Sequence, residues 1–275
     1  MKNLIKKTLA AILITASSNA LPSTVEIYSS STAEIAISGE KDNYLLIAIA
    51  GGRPNESATS GKCMISANIR SRYNEYTGTL TPLNTEEFSY SEKSSKGRSI
   101  SLTRTEKYLN IDNIDTVGIC GLGVELIDSY SPIQGEEYRK NYAAFFKIAH
   151  EISLNHYSNN DKEKALNTLK PYAENYPKGL LSTKKTDNRI IRFLNDYAFY
   201  LQETNQPIPA IEILNDIINL APNRKVAHLN IADAYWEIKN HKKARLHYQK
   251  YISAMRAAQK EKLIPSRAFE RVTDQ

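Results

Sequence analysis

The chain has 275 residues, of which 41% are hydrophobic and 24% charged, and its formal net charge is +6 at pH 7. Three of the positive charges, Lys2, Lys6 and Lys7, lie at the N-terminus, so the rest of the chain carries a net charge of only +3. No stripe of Lys and Arg alternates with aromatic residues in the sequence, and this argues against a nucleic-acid-binding protein.

Residues 1–20 have the features of an export signal. A basic start with three lysines precedes the apolar stretch Leu9–Ile14, which is too short to span a bilayer, and Ser18–Ala20 is typical of a cleavage site. We therefore expect a periplasmic or secreted protein that is cleaved near Ala20 and has no membrane span. A retained anchor or a disordered start is the alternative.

Residues 23–133 show the alternation of apolar and polar residues that is typical of β-strands. Four short segments alternate in this way: 24–28, 34–37, 63–69 and 100–102. The continuous apolar run Asn43–Ile49 fits a central strand, and Lys93–Gly97 is interpreted as a hairpin loop. This half is therefore predicted to form a small antiparallel β sandwich or barrel.

The two cysteines, Cys63 and Cys120, both lie in this half. An even number of cysteines in an exported chain favours one disulfide, with two free buried thiols as the alternative. Neither cysteine has a CxxC partner, so neither a metal site nor a redox dithiol is expected. The disulfide is predicted to join an early strand to the strand that precedes Gly121.

The glycine-rich segment Gly118–Leu126 has two interpretations. With Tyr130, it resembles the last strand of small disulfide-bonded β domains of exported bacterial proteins, including lysozyme-inhibitor-like domains. The favoured interpretation is a tight turn beside the disulfide. It is not a dinucleotide-binding loop, because the required glycine spacing is absent.

The C-terminal half contains a repeated pattern. Ala210 and Ala244 each stand at the same offset from large apolar, small and aromatic residues, and Pro222 follows Ala210 towards the end of its unit. The interval between the two alanines matches the period of about 34 residues of the tetratricopeptide repeat, which the pattern resembles and whose unit is two antiparallel helices. An ordinary helical bundle with coincidental spacing is the alternative.

A third, degenerate copy surrounds Ala165, which precedes Ala210 by more than one period. The 11 extra residues are assigned to an inserted loop at 178–188. The resemblance covers residues 136–258, and residues 259–275 are predicted to form a C-terminal cap. The whole chain is therefore predicted to be an α+β multidomain protein, with a β domain followed by an all-α array of helical hairpins.

The resemblance implies a function as well as a fold. Tetratricopeptide arrays hold an extended or helical peptide on a concave face built mainly from the first helix of each unit. The family's contact offsets fall here on Lys147, His150, Leu154, Tyr157, Arg192, Asn195, Phe199, Gln202, Val226, Leu229, Asp233 and Trp236. Phe199 and Trp236 are expected to be anchors, with packing between helices as the alternative. A clamp for an acidic tail is not expected, because Asp196 would repel it.

No catalytic or metal-binding motif accompanies these features. His150 and His156 are six residues apart, whereas a helical zinc motif needs four, and no nucleophile elbow is present. We therefore predict a non-catalytic protein with a protein partner, no cofactor and no metal. Its function would be that of a scaffold or assembly factor in the bacterial envelope, or that of an inhibitor or immunity protein that blocks a secreted or periplasmic enzyme. An uncharacterised envelope enzyme is the third alternative.

Overall fold

The computed structural model describes residues 24–40, 42–50, 63–121, 123–177 and 188–273. The predicted export signal and nearly all of the predicted loop at 178–188 lie outside these residues. The described part is α+β, as predicted. Its last strand ends at Pro132 and its first long helix begins at Gly135.

The N-terminal half consists of strands and one helical turn, α1 (Glu92–Ser95). The strands are β1 (Thr24–Ser29), β2 (Ala33–Glu40), β3 (Asn43–Ala50), β4 (Cys63–Arg72), β5 (Glu75–Thr81), β6 (Leu83–Asn84), β7 (Ser89–Tyr90), β8 (Ser99–Arg104), β9 (Leu109–Ile114) and β10 (Ser129–Pro132). Eight of them close an antiparallel barrel in the order β1-β10-β9-β8-β5-β4-β3-β2, and β6 and β7 pair separately. Of the two predicted architectures, the barrel is the one that forms.

The barrel is filled by side chains, because alternate residues of every strand point inwards. Ile35, Leu46, Ile65 and Tyr130 are among the buried interior residues. The interior also requires glycine at Gly78, where a Cβ atom would collide with the carbonyl oxygen of Asn68 on the neighbouring strand.

One prediction about this half is wrong, and one choice that the sequence left open is decided. Lys93–Gly97 is not a hairpin loop, because Ser91 caps the helical turn α1 by accepting a hydrogen bond from the backbone N–H of Ser94. Gly118–Leu126 is not the last strand. Gly118 and Gly123 have φ values of 71° and 82°, and positive φ interrupts an extended chain. The favoured turn interpretation is therefore confirmed.

Cys63 and Cys120 form the predicted disulfide, with their Cα atoms 5.2 Å apart. Cys63 is the first residue of β4. Cys120 lies in the turn after β9, where its backbone N–H bonds to the carbonyl of Thr116. The bond thus joins a strand to a turn, and not two strands as predicted.

The C-terminal half is helical. Its helices are α2 (Gly135–Ser158), α3 (Lys162–Glu174), α4 (Asn188–Glu203), α5 (Pro207–Leu220), α6 (Lys225–Glu237), α7 (His241–Ala257) and α8 (Ser266–Thr273), with a 3₁₀ turn at Glu261–Leu263. The helices pack as successive hairpins, α2 on α3, α4 on α5 and α6 on α7. Ala210 and Ala244 are fully buried. The segment predicted to form the C-terminal cap contains α8, which packs on α7.

The barrel and the helices share one hydrophobic cluster. Val25 and Ile27 of β1 lie in the same buried cluster as Tyr142 and Phe145 of α2. Polar contacts border it: the Tyr138 hydroxyl donates to the carbonyl of Val25 at 2.8 Å. The first hairpin is therefore packed directly on the outer surface of the barrel.

A second contact between the two halves is made by the segment that connects β6 to β7. Lys147 of α2 lies 3.3 Å from Glu86 and 3.2 Å from Glu87 of this segment. The amide group of Asn155 donates to the carbonyl of Asn84 at 2.7 Å. The β6–β7 hairpin therefore covers the part of α2 that no preceding helical unit covers.

Candidate binding groove

The three helical hairpins close in the same way. Each connection has three residues, and its second residue has positive φ: Asn160 at 62°, Asn205 at 60° and Lys239 at 59°. The intervals between these three positions equal the intervals between the three repeat alanines of the sequence. The next N–H bonds five residues back in each case, as in a Schellman motif: Asp161 to His156, Gln206 to Leu201 and Asn240 to Tyr235. The backbone thus repeats in the register that the sequence predicted.

The first helices of the hairpins, α2, α4 and α6, lie side by side. His150 of α2 bonds to Asp196 of α4, with 2.8 Å between Nε2 and Oδ2. The Gln202 side-chain amide of α4 donates to the carbonyl of Asn230 on α6 at 3.0 Å. We call the surface formed by these three helices the groove.

The residues predicted to bind a partner fall into different environments in this groove. Three are buried between helices, namely His150, Asn195 and Gln202. Leu154, Arg192 and Val226 are exposed, and Val226 keeps 49% of its surface accessible. The other six are partly exposed: Lys147, Tyr157, Phe199, Leu229, Asp233 and Trp236. His150 and Gln202 hold neighbouring first helices together, and the nine residues that are not buried are accessible to a partner.

The two predicted anchors lie in separate clusters. The ring of Phe199 packs against Tyr157 of α2, with 5.4 Å between ring centroids. The ring of Trp236 contacts His241 at 4.3 Å, and the Arg271 guanidinium of α8 lies 5.1 Å from its centroid. Phe199 therefore belongs to the groove, whereas the C-terminal cap covers part of the Trp236 ring.

Two further residues of the set have partners within the chain. Asp233 accepts hydrogen bonds from Arg267 at 2.8 Å, from Arg271 at 2.8 Å and from the Tyr248 hydroxyl. Lys147 is bound by the β6–β7 hairpin, as described above. The two ends of the groove are thus held by other elements of the protein, and its accessible part lies over α4 and its neighbours.

The centre of the groove combines one carboxylate with several cationic groups. Asp196 is bound by His150, and the Arg192 side chain lies 4.0 Å from it. Arg224, just before α6, is half-buried, and its Nε has no hydrogen-bond partner among the described residues. Burial lowers the pKa of Arg224, and the nearby Arg192 adds to this effect while Asp196 opposes it. The Oδ1 atom of the buried Asn195 also lacks a partner in the described structure.

The sequence did not indicate Arg224, because the family's contact offsets begin only at Val226. The basic residue immediately before the predicted helix was the available signal. Asp196 was identified only as a residue that would repel an acidic tail. In the structure its carboxylate also bonds to His150 and connects α2 to α4.

No metal centre is found in the described part of the chain, where no three His, Cys, Asp or Glu residues are grouped to hold an ion. His150 bonds to Asp196, and the half-buried His156 belongs to no such group. Among the described helices, none combines the length and apolar character needed to cross a bilayer.

No protein-family model matches this chain, and no curated protein matches its sequence. Among solved structures, the chain is similar to the first TPR of Spaghetti (RPAP3) bound to the HSP90 peptide SRMEEVD, with 11% identity and a TM-score of 0.35, over 46% of this chain and 86% of that one. It is also similar to PilF of Pseudomonas aeruginosa, with 17% identity and a TM-score of 0.31, over 46% of this chain and 61% of that one. At these TM-scores the likeness carries no argument, and the repeat interpretation depends on the three equivalent hairpin closures.

Proposed function

We propose that this protein is an exported, non-catalytic binding protein of the tetratricopeptide type, which acts as a scaffold or assembly factor in the bacterial envelope. The observation that carries this proposal is the groove. Three first helices stand side by side in one register, and they leave aliphatic, aromatic and charged side chains accessible to a partner.

The composition of the accessible groove suits a protein partner. Leu154, Phe199 and Val226 provide one apolar side chain from each first helix, and Arg192 provides a cation on the middle one. Interfaces combine apolar contacts with aromatic and arginine side chains in this way. Phe199 is the strongest anchor candidate, because Trp236 is shared with the cap.

The test compares two matched double variants. Leu154→Ala with Val226→Ala removes exposed aliphatic groups from the groove. Ile208→Ala with Leu220→Ala removes comparable exposed groups from α5, outside the groove. Proteins captured from native envelope extracts are identified by mass spectrometry. We expect a specific partner to be captured by the parent and by the α5 variant, and to be lost with the groove variant.

A third variant, Phe199→Ala, removes the strongest anchor candidate from the groove. It should weaken binding of the captured partner by more than about tenfold, or ~1.4 kcal/mol. Circular dichroism establishes that the fold survives. If every captured protein binds the groove variants as tightly as the parent, the proposed function is wrong.

The inhibitor or immunity function is the second candidate, and one observation on the barrel favours it. Tyr73, at the tip of the β4–β5 hairpin, is 92% exposed and has a φ of 59°. The two-residue hairpin connection requires such a φ value, and it presents the Tyr73 ring at the tip, where an exposed aromatic side chain can anchor a partner. If Tyr73→Ala releases the captured partner and the groove variants do not, the barrel is the binding surface and this second candidate replaces the first.

A further inference from the structure

The outward face of α7 carries a stripe of cations, which we call the α7 stripe. It consists of the exposed residues Lys242, Lys243, Lys250 and Arg256. At about 100° per residue these positions fall within an arc of about 140°, and they extend over about 21 Å of the helix. The exposed Lys260 follows just beyond the end of the helix.

The lysines of the stripe are not neutralised by the fold. In the described part of the chain, no carboxylate lies at ion-pair distance from Lys242, Lys243 or Lys250. Lys243 lies over the ring of Tyr235, 5.0 Å from its centroid. Arg256 is the member of the stripe with an acidic partner, Glu261 at 2.8 Å.

The lysines of the stripe also affect a neighbouring histidine, His247. The half-buried His247 lies between the stripe and α6, and its pKa is lowered to about 4 by burial and then by His228, Lys250 and Lys243. The stripe therefore raises the electrostatic potential of its surroundings.

Apolar groups accompany the cations. Leu246 lies inside the arc of the stripe and is 49% exposed. Further along α7, a shallow groove of about 340 Å³ between α7 and α8 is lined by apolar and polar side chains: Ile252, Phe269 and Val272 with Gln249, Ser253, Arg256 and Thr273. Lysines around exposed aliphatic side chains are typical of surfaces that lie at the boundary between lipid headgroups and acyl chains.

We propose that the α7 stripe is a peripheral docking surface for membranes that contain anionic phospholipids. Each lysine would approach the phosphates of the headgroups, and Leu246 would enter the boundary of the acyl chains. The stripe has no exposed aromatic ring on which nucleic-acid bases could stack. Its lysines are flexible point charges, which suit a fluid layer of phosphates better than fixed bidentate recognition. Each cation near such a surface raises membrane partitioning about fivefold.

The test is co-flotation of the purified protein with two kinds of vesicle. One is phosphatidylcholine alone, and the other is phosphatidylcholine and phosphatidylglycerol in equal parts. The parent should bind the anionic vesicles, and binding should fall as salt is added. Lys242→Gln with Lys250→Gln and Lys260→Gln should reduce partitioning about a hundredfold, since three cations are removed.

The matched control removes three exposed lysines from the barrel half, Lys93, Lys96 and Lys107, each replaced by Gln. It changes the net charge equally and should bind like the parent. Leu246→Ser should weaken binding without changing its dependence on salt. Thermal melts of all variants verify that the fold is intact.

Three results would overturn the proposal. The first is that the parent binds both kinds of vesicle equally, or binds neither of them. The barrel variant could lose as much binding as the stripe variant, in which case net charge and not the stripe is responsible. A parallel assay measures binding to a DNA oligonucleotide and to polyglutamate. If the stripe binds one of these and the protein does not bind vesicles, the stripe recognises another class of polyanion.

Discussion

The pair formed by the buried His228 and the half-buried His247 should make the last helical unit sensitive to acid. The Nε2 of His228 lies 2.8 Å from the carbonyl of Pro222, so it carries the proton and donates. Its Nδ1 is then an acceptor, and the Nδ1–H of His247 donates to it across 3.0 Å. The two bonds are satisfied with one proton on each ring, and burial and the neighbouring cations oppose a second proton on His247.

The magnitude follows from the shift of His247. Its folded-state pKa is about 4, lowered by burial and by the neighbouring His228, Lys250 and Lys243, whereas the unfolded value is about 6.5. A lowered histidine pKa means that stability is fully present above about pH 6.5 and is lost as the pH falls towards 4. Between pH 7 and pH 5 we expect a loss of about 1–2 kcal/mol, allowing for solvent screening of the half-buried ring.

The assay is urea unfolding of the parent and of His247→Gln at pH 7 and pH 5. The glutamine amide still offers a donor to His228 but does not titrate. The parent should lose about 1–2 kcal/mol more than this variant between the two pH values. Carboxylates that titrate in the same range affect both proteins and cancel. If parent and variant lose the same stability, folding does not lower the pKa of His247.

Three further predictions concern the disulfide, the hairpin contacts and the contact between barrel and helices. Without reductant, the denatured protein should show no free thiol from Cys63 or Cys120, and two titratable thiols would refute the bond. Ala210→Leu should destabilise the second hairpin by about 1–3 kcal/mol, because Ala210 is fully buried; an unchanged thermal midpoint would count against the tight contact. Tyr138→Phe should cost about 0.5–1.5 kcal/mol through loss of the hydrogen bond to β1. The exposed Tyr108→Phe is its control, and equal melting of the two variants would contradict that role.

The helical half was predictable because its signal is periodic. The spacing of Ala165, Ala210 and Ala244 placed three hairpins correctly, and Pro222 placed the end of α5 within two residues. A small residue is needed wherever two helices touch, so this constraint is visible in the sequence. The alternation in the N-terminal half likewise identified four of the eight strands of the barrel, and the apolar run Asn43–Ile49 identified a fifth.

The closure of the barrel was not predictable from local patterns. β1 pairs with β10, whose residues lie about a hundred positions further along the chain, and only tertiary folding brings them together. One segment of the sequence did reflect the contact between barrel and helices. In the apolar run Asn43–Ile49, Leu46 faces the barrel interior, and Ile47 belongs to the cluster covered by helices. The run predicted a central strand, but not that helices would cover its outer face.

The groove was only partly accessible to sequence reasoning. Family offsets selected positions along each first helix, but they could not show that His150 bonds across to Asp196 or that Arg271 covers Trp236. These contacts join residues that are far apart in the chain. Their geometry depends on how neighbouring helices are spaced, which no single-helix pattern specifies.

The helical array has two edges at which its helices are connected, and the two edges differ. All three connections within a hairpin are three residues long and are fixed by the same backbone bonds, so an inserted residue there would disrupt a helix terminus. The connections between hairpins lie at the opposite edge, and they differ in length: residues 175–187 separate α3 from α4, whereas only residues 221–224 separate α5 from α6. Lengthening such a connection adds only a slowly growing loop entropy. Residues can therefore be inserted into the connections between hairpins while the connections within hairpins stay unchanged.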